Sequence, residues 1–181
     1  LLQRYFDEIA KDKTSHAAER SRVKTLSAFF GDTTVKDLTP KRVGAFIASR
    51  SKAVSRETLR KETSTLSLAV QAGMDLWDLR LRENPVSVAR RTYKSRLKPG
   101  DARDRRPTAE ELDTLKEHAP GVMPQLIEFA VETAMRRGEI ANQRVEHRRD
   151  RLLSIPKTKT DKPRTIPLST RATAILDDLP L

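Results

Sequence analysis

Cysteine is absent from the 181 residues, which excludes disulfides and thiolate metal sites. Histidine is scarce: His16, His118 and His147 stand far apart with no ligand spacing among them. The expectation is a protein without metal or cofactor. Aromatic residues make up 4% of the chain and do not alternate with basic ones, which argues against a surface that stacks single-stranded bases. No apolar run approaches the roughly 20 residues a membrane span needs, so a cytoplasmic, non-membrane protein is expected. The opening Leu1-Leu2-Gln3-Arg4 has no initiator Met and no signal-peptide order of charge followed by an apolar stretch. It starts as if inside a helix, so a fragment of a longer protein is expected.

What the chain has in excess is positive charge. Lys and Arg number 36 against 25 Asp and Glu, a formal net charge of +11. Such an imbalance is self-repelling unless a polyanion relieves it, and it draws nucleic acid by counterion release. Ribosomal and membrane-surface proteins share this bias, so charge alone does not choose among them. The hydrophobic fraction, 36%, supports modest cores, and the length suits one large domain or two small ones.

Residues 1–88 read as a bundle of short helices. Leu1, Leu2, Tyr5, Phe6 and Ile9 recur at helical spacing, as do Val23, Leu26, Phe29 and Phe30, after which Gly31 is expected to provide a left-handed stop. Thr39-Pro40 is a helix start, a hydroxyl cap followed by proline at the first helical position. Ser55 opens a fourth helix with a buried stripe of Leu59, Leu66, Val70, Gly73 and Trp77, and Asn84-Pro85 is expected to end the bundle. From 89 to 106 the composition turns basic, with Arg90, Arg91, Lys94, Arg96, Lys98, Arg103, Arg105 and Arg106, and Pro99-Gly100 breaks any helix. This stretch reads as a linker, and a linker lying along phosphates is favoured over a solvated tether.

Residues 107–181 open on a capping box, Thr108 with Glu111, and Leu112 and Leu115 are expected to face inward. A second helix is expected over Pro124 to Arg137. Leu152 to Pro156 and Arg164 to Leu168 read as strands of a hairpin, and Ser169 caps a last helix. The fold class expected is mainly α with a small β-hairpin or sheet.

Thr133-Ala134-Met135-Arg136-Arg137-Gly138-Glu139 resembles the T-G-x-R-x-x-E pattern of tyrosine recombinases, the phage integrase family, with Ala134 where glycine is usual. Lys159 through Leu168 resembles that family's hairpin, a lysine followed by a basic-apolar-Pro-Leu strand. Phe30-Gly31-Asp32, Leu38-Thr39-Pro40, Ser55 with Thr58, and Asn84-Pro85 occur in the order seen in its core-binding domain. The resemblance thus covers nearly the whole chain. It implies a helical-bundle (SAM-like) core-binding domain over 1–88 and a basic linker over 89–106. The N-terminal portion of an α+β catalytic domain would then occupy 107–181.

By that resemblance Arg136 and Lys159 are catalytic and Glu139 orients the site. A guanidinium meets two non-bridging phosphate oxygens at once and keeps its charge. A lysine can protonate the leaving 5′ oxygen. The two cations are expected to converge on one DNA phosphate. Duplex contacts are expected from Lys41, Arg42, Ser55, Arg56, Thr58, Arg60, Lys61 and Thr65. Arg90, Arg91, Lys94, Arg105 and Arg106 of the linker, and Lys157 and Lys162 beside the hairpin turn, join them.

The function implied is a site-specific recombinase of a phage or mobile element, associated with the nucleoid. It would close around double-stranded DNA as a clamp and assemble as a homotetramer on paired sites. The family's His-x-x-Arg element and tyrosine nucleophile are not in the sequence: Tyr5 lies in the first helix and Tyr93 in the linker. The chain alone is therefore expected to be inactive, as no phosphotyrosyl intermediate can form. Two explanations stand, a piece of a longer integrase or a non-catalytic DNA-binding remnant or regulator. A basic RNA-associated protein is the more distant alternative.

Overall fold

Local capping chemistry places half of the α-helix starts. The computed structural model describes residues 1–100, 104–158 and 162–179, and the chain divides into two units, Leu1–Arg103 and Asp104–Leu181. In the first unit α1 (Leu2–Tyr5) runs into a π-helical turn, Phe6–Ala10, and α2 (His16–Phe30) follows. The Thr39 hydroxyl accepts from the N–H of Arg42 at 3.3 Å to open α3 (Pro40–Arg50). Ser55 accepts from Thr58 at 3.2 Å to open α4 (Arg56–Leu76). Each cap satisfies a donor that the first turn would leave unpaired. Leu26, Phe30, Val43, Phe46, Ile47, Leu59, Leu66 and Val70 form the core between these helices.

The basic stretch after residue 88 is not a linker as far as Leu97. Asn84 does not end the bundle. Its carboxamide caps α5 (Pro85–Thr92), accepting from Val86 N–H at 3.0 Å while donating to the Ser67 carbonyl at 2.9 Å. α6 (Lys94–Leu97) follows, and Val86, Ala89 and Leu97 join the core of Leu59 and Phe46. Tyr93 lies so close to α3 that a Cβ on Gly44 would stand 2.5 Å from its hydroxyl. The apolar positions 86, 89, 93 and 97 do recur at helical spacing, but the cations on the remaining faces dominate the composition.

Gly31 also departs from expectation. Its φ of −50° and ψ of −44° are right-handed. What requires glycine there is proximity, since a Cβ would lie 2.7 Å from the Ser27 carbonyl oxygen.

In the second unit the Thr108–Glu111 capping box forms in both directions and opens α7 (Ala109–His118). α7 buries no residue fully: Leu112 is half-buried and Leu115 is exposed, against the inward reading. α8 (Met123–Thr133) stops four residues short of Arg137, because Ala134 turns left-handed at φ 51° and ψ 24°. α9 (Arg137–Ala141) and a 3₁₀ turn, Val145–His147, lead to an antiparallel sheet ordered β1 (Arg148–Arg149), β2 (Leu152–Ile155), β3 (Arg164–Pro167). The short β1 escaped the sequence reading. β2 and β3 pair in the register Leu152↔Pro167 to Ile155↔Arg164. Ser169 caps α10 (Thr170–Asp178), accepting from Ala172 N–H at 3.0 Å. Phe129, Met135, Leu153, Ile155, Leu168, Ala172 and Ile175 form this unit's core.

A left-handed alanine is strained by its Cβ, and glycine is not. Ala134→Gly is expected to stabilise the second unit by about 0.5–1 kcal/mol, after allowing for the greater chain entropy of glycine. A thermal melt checks this; a lower melting temperature would contradict it.

Candidate functional site

The turn after α8 is pinned on both sides of Arg136. Thr133 donates its hydroxyl to the Phe129 carbonyl at 2.7 Å and closes the helix. Met135 then enters the core at 5% exposure, and Glu139 on α9 is equally buried. Between these anchors the Arg136 side chain is 59% exposed. Arg136 therefore precedes a new helix; it is not the last residue of a packed one, and it shares no helix face with Glu139.

The pairing between them is a reach back from the third residue of α9. The Glu139 carboxylate accepts from the Arg136 backbone N–H at 3.0 Å and from its Nη1 at 3.1 Å. From 25 residues further on, Arg164 Nη2 donates to the same carboxylate at 2.9 Å. The Arg136 backbone N–H does most to hold the Glu139 carboxyl below the usual range. Burial works against it, and the two guanidiniums add to the lowering. A buried carboxylate is tolerable when its oxygens are this fully used. The result is a directed guanidinium on a rigid turn, able to meet an oxyanion without further reorganisation.

Lys159 lies outside the described residues. The chain flanking it is closed by Thr158, whose hydroxyl accepts from Lys162 N–H at 3.2 Å and donates to the Lys162 carbonyl at 3.0 Å. Lys157 and Lys162 are exposed. Arg105 and Arg106 are exposed as well, and Arg105 pairs with Glu111. Arg164, missing from the sequence-based candidates, was signalled only by being the basic residue that opens the strand after the hairpin turn.

In the first unit, Arg60, Arg90, Arg91, Lys94 and Lys98 surround an open depression of about 560 Å³ formed by α4, α5 and α6. The packing of α5 and α6 is what brings these cations together. Arg60 is held by Glu57 through two bonds of 3.0 Å, and that hydrogen bonding is the largest cause lowering the Glu57 carboxyl to about 2. Lys61 also pairs with Glu57, at 3.4 Å, and Arg91 with Glu83 at 2.5 Å. Arg90, Lys94 and Lys98 have no ion-pair partner among the described residues.

Lys41, Arg42, Ser55, Arg56 and Thr58 are exposed around the starts of α3 and α4. Thr65 is not available to a ligand. It is 2% exposed and donates its hydroxyl to buried Glu19 at 2.9 Å. The α4 face that carries it packs against α2, which surface periodicity alone did not reveal. Among the described residues no group of three His, Asp or Glu side chains is placed to hold a metal. No helix there is long and apolar enough to cross a membrane.

A helical unit followed by a small-sheet unit with this guanidinium turn has the fold of lambda integrase. A lambda integrase(75-356) dimer bound to a COC′ core site superposes with a TM-score of 0.80 at 23% identity, over 97% of this chain and 66% of that one. A lambda integrase tetramer bound to a Holliday junction gives 0.80 at 22% identity, over 97% and 52%.

Two curated relatives align with 99% of the chain. One, from Haemophilus influenzae, is described as an integrase/recombinase (29% identical, 61% of its length). The other is the shufflon-specific DNA recombinase of Escherichia coli (28% identical, 49% of its length). The chain thus spans about half to three-fifths of these relatives. No family model matches it. The chain is thus similar in sequence to these recombinases and shares the fold of lambda integrase.

Proposed function

We propose that this chain forms the DNA-gripping unit and the leading part of the catalytic unit of a site-specific DNA recombinase. The enzyme breaks and rejoins duplex strands through a tyrosine–phosphate intermediate. The observation that carries this reading is the Arg136 guanidinium, fixed by buried Glu139 on a turn of the integrase fold. In the transition state negative charge gathers on the non-bridging phosphate oxygens, and a pre-aimed guanidinium stabilises it there more than in the ground state. Lys159 is assigned the leaving 5′ oxygen as general acid.

Residues 1–88 act as the core-binding domain, extended by α5 and α6, whose cations neutralise backbone phosphates. Residues 107–181 act as the N-terminal part of the catalytic domain. The working enzyme is assigned to the cytoplasm, at the nucleoid, as a tetramer on paired sites. The lambda integrase assembly on a Holliday junction supports that stoichiometry by analogy of fold.

The product of the complete reading frame is the protein to test, on a nicked duplex that traps the covalent adduct. Arg136→Ala is expected to cut adduct formation by roughly 10²–10³-fold, as loss of a preorganised donor does elsewhere, with duplex binding largely kept. Adduct formation at near the unaltered rate would remove Arg136 from the chemistry. No adduct from the unaltered protein, with duplex binding intact, would make it a non-catalytic DNA binder. Preference for RNA over duplex would overturn the family-based function.

A further inference from the structure

We infer that Arg164 is a second phosphate-binding residue: Arg136 and Arg164, seated on one buried carboxylate, form a paired-guanidinium site for a DNA backbone phosphate. The inference rests on the proposed function and deepens it by naming a further ligand in the same unit.

The two carboxylate oxygens of Glu139 divide the cations between them. Arg136 Nη1 donates to Oε1, and Arg164 Nη2 donates to Oε2. Both guanidiniums are thus held beside one group, although they come from the turn after α8 and from the first residue of β3. A guanidinium has five N–H donors, and among the described residues each of these spends one on Glu139. Their side chains are 59% and 39% exposed, so the remaining donors are open to a ligand. One carboxylate against two guanidiniums leaves a net positive charge in a fixed place, and fork-shaped donors match phosphate geometry.

The buried carboxylates of the first unit show what purely structural pairing looks like in this chain. Glu62 takes Arg50, and Glu19 takes Arg22, one guanidinium for each. A second, half-exposed arginine on Glu139 exceeds what neutralising a buried charge requires. It also ties the strand base next to the segment containing Lys159 to the turn carrying Arg136, so a phosphate at Arg136 meets Arg164 as well.

The test measures duplex binding by fluorescence anisotropy across a potassium chloride series, using the chain as it stands. Arg164→Gln is expected to make the dependence of log K on log salt shallower by about 0.9, the value of one lost phosphate contact. Arg164→Lys, which keeps the charge, is expected to restore the slope. Should the glutamine variant fail to fold, the Nε–H signals of Arg136 and Arg164 in the unaltered chain provide the readout. Both are expected to shift on adding duplex. An unchanged slope in a folded Arg164→Gln, or an unmoved Arg164 signal while the duplex binds, would overturn this inference and leave the proposed function standing. Absence of salt-dependent duplex binding by the unaltered chain would instead overturn that function and this inference with it.

Discussion

Phe129→Ala is expected to unfold the second unit at room temperature. Phe129 is 1% exposed and shares its core with Met135, Leu153, Ile155, Leu168, Ala172 and Ile175, so α8, the sheet and α10 all contribute to the core that holds its ring. Removing such a ring typically costs about 3–5 kcal/mol, in lost transfer energy plus the cavity left behind. A core in a unit this small supplies only about that much net stability. Several apolar side chains of the unit already face outward, including Leu115, Val131 and Val145.

Trp77, the sole tryptophan, lies in the first unit and reports on it. Circular dichroism of the variant is expected to lose the helix signal of the second unit while Trp77 fluorescence stays at its unaltered value. Full helix content with only a small drop in melting temperature would show that the ring does not hold this core together.

Glu139→Gln is expected to act on chemistry. Three donors converge on the carboxylate, and the amide replaces one of its two acceptor oxygens with a donor. At least one N–H then faces another, and the Arg136 fork loses its fixed direction. A misplacement on the scale of an ångström can cost on the order of 10²-fold in rate. Adduct formation by the complete protein is expected to fall by about that factor. Duplex affinity is expected to hold or rise, because a negative charge has been removed. Equal losses in binding and cleavage would mean that Glu139 only maintains the fold.

The same variant has a pH signature. The Glu139 carboxyl is held below its ordinary value in the folded state. Its contribution to stability is therefore complete above the unfolded glutamate value, about 4.3. It disappears as pH falls through the lowered folded value. Melting temperatures of the unaltered chain and of Glu139→Gln are expected to differ at neutral pH and to converge on acidification through that range. A gap that widens toward low pH would reverse the assignment.

Features that depend on neighbours a few residues apart can be read directly from the amino-acid order. Thr39, Ser55, Thr108 and Ser169 each cap the helix assigned to them, since a cap needs only a hydroxyl and an N–H three positions on. The β2–β3 hairpin and the Arg136–Glu139 pair are legible for the same reason. Tertiary structure alone decided which surfaces are covered. Positions 86, 89, 93 and 97 turned a basic stretch into part of the first core. Packing of α4 on α2 took Thr65 out of reach of any ligand, and a bond spanning 25 residues brought Arg164 to Glu139. Burial and long-range pairing depend on what arrives from elsewhere in the chain, and neither composition nor local spacing records that arrival.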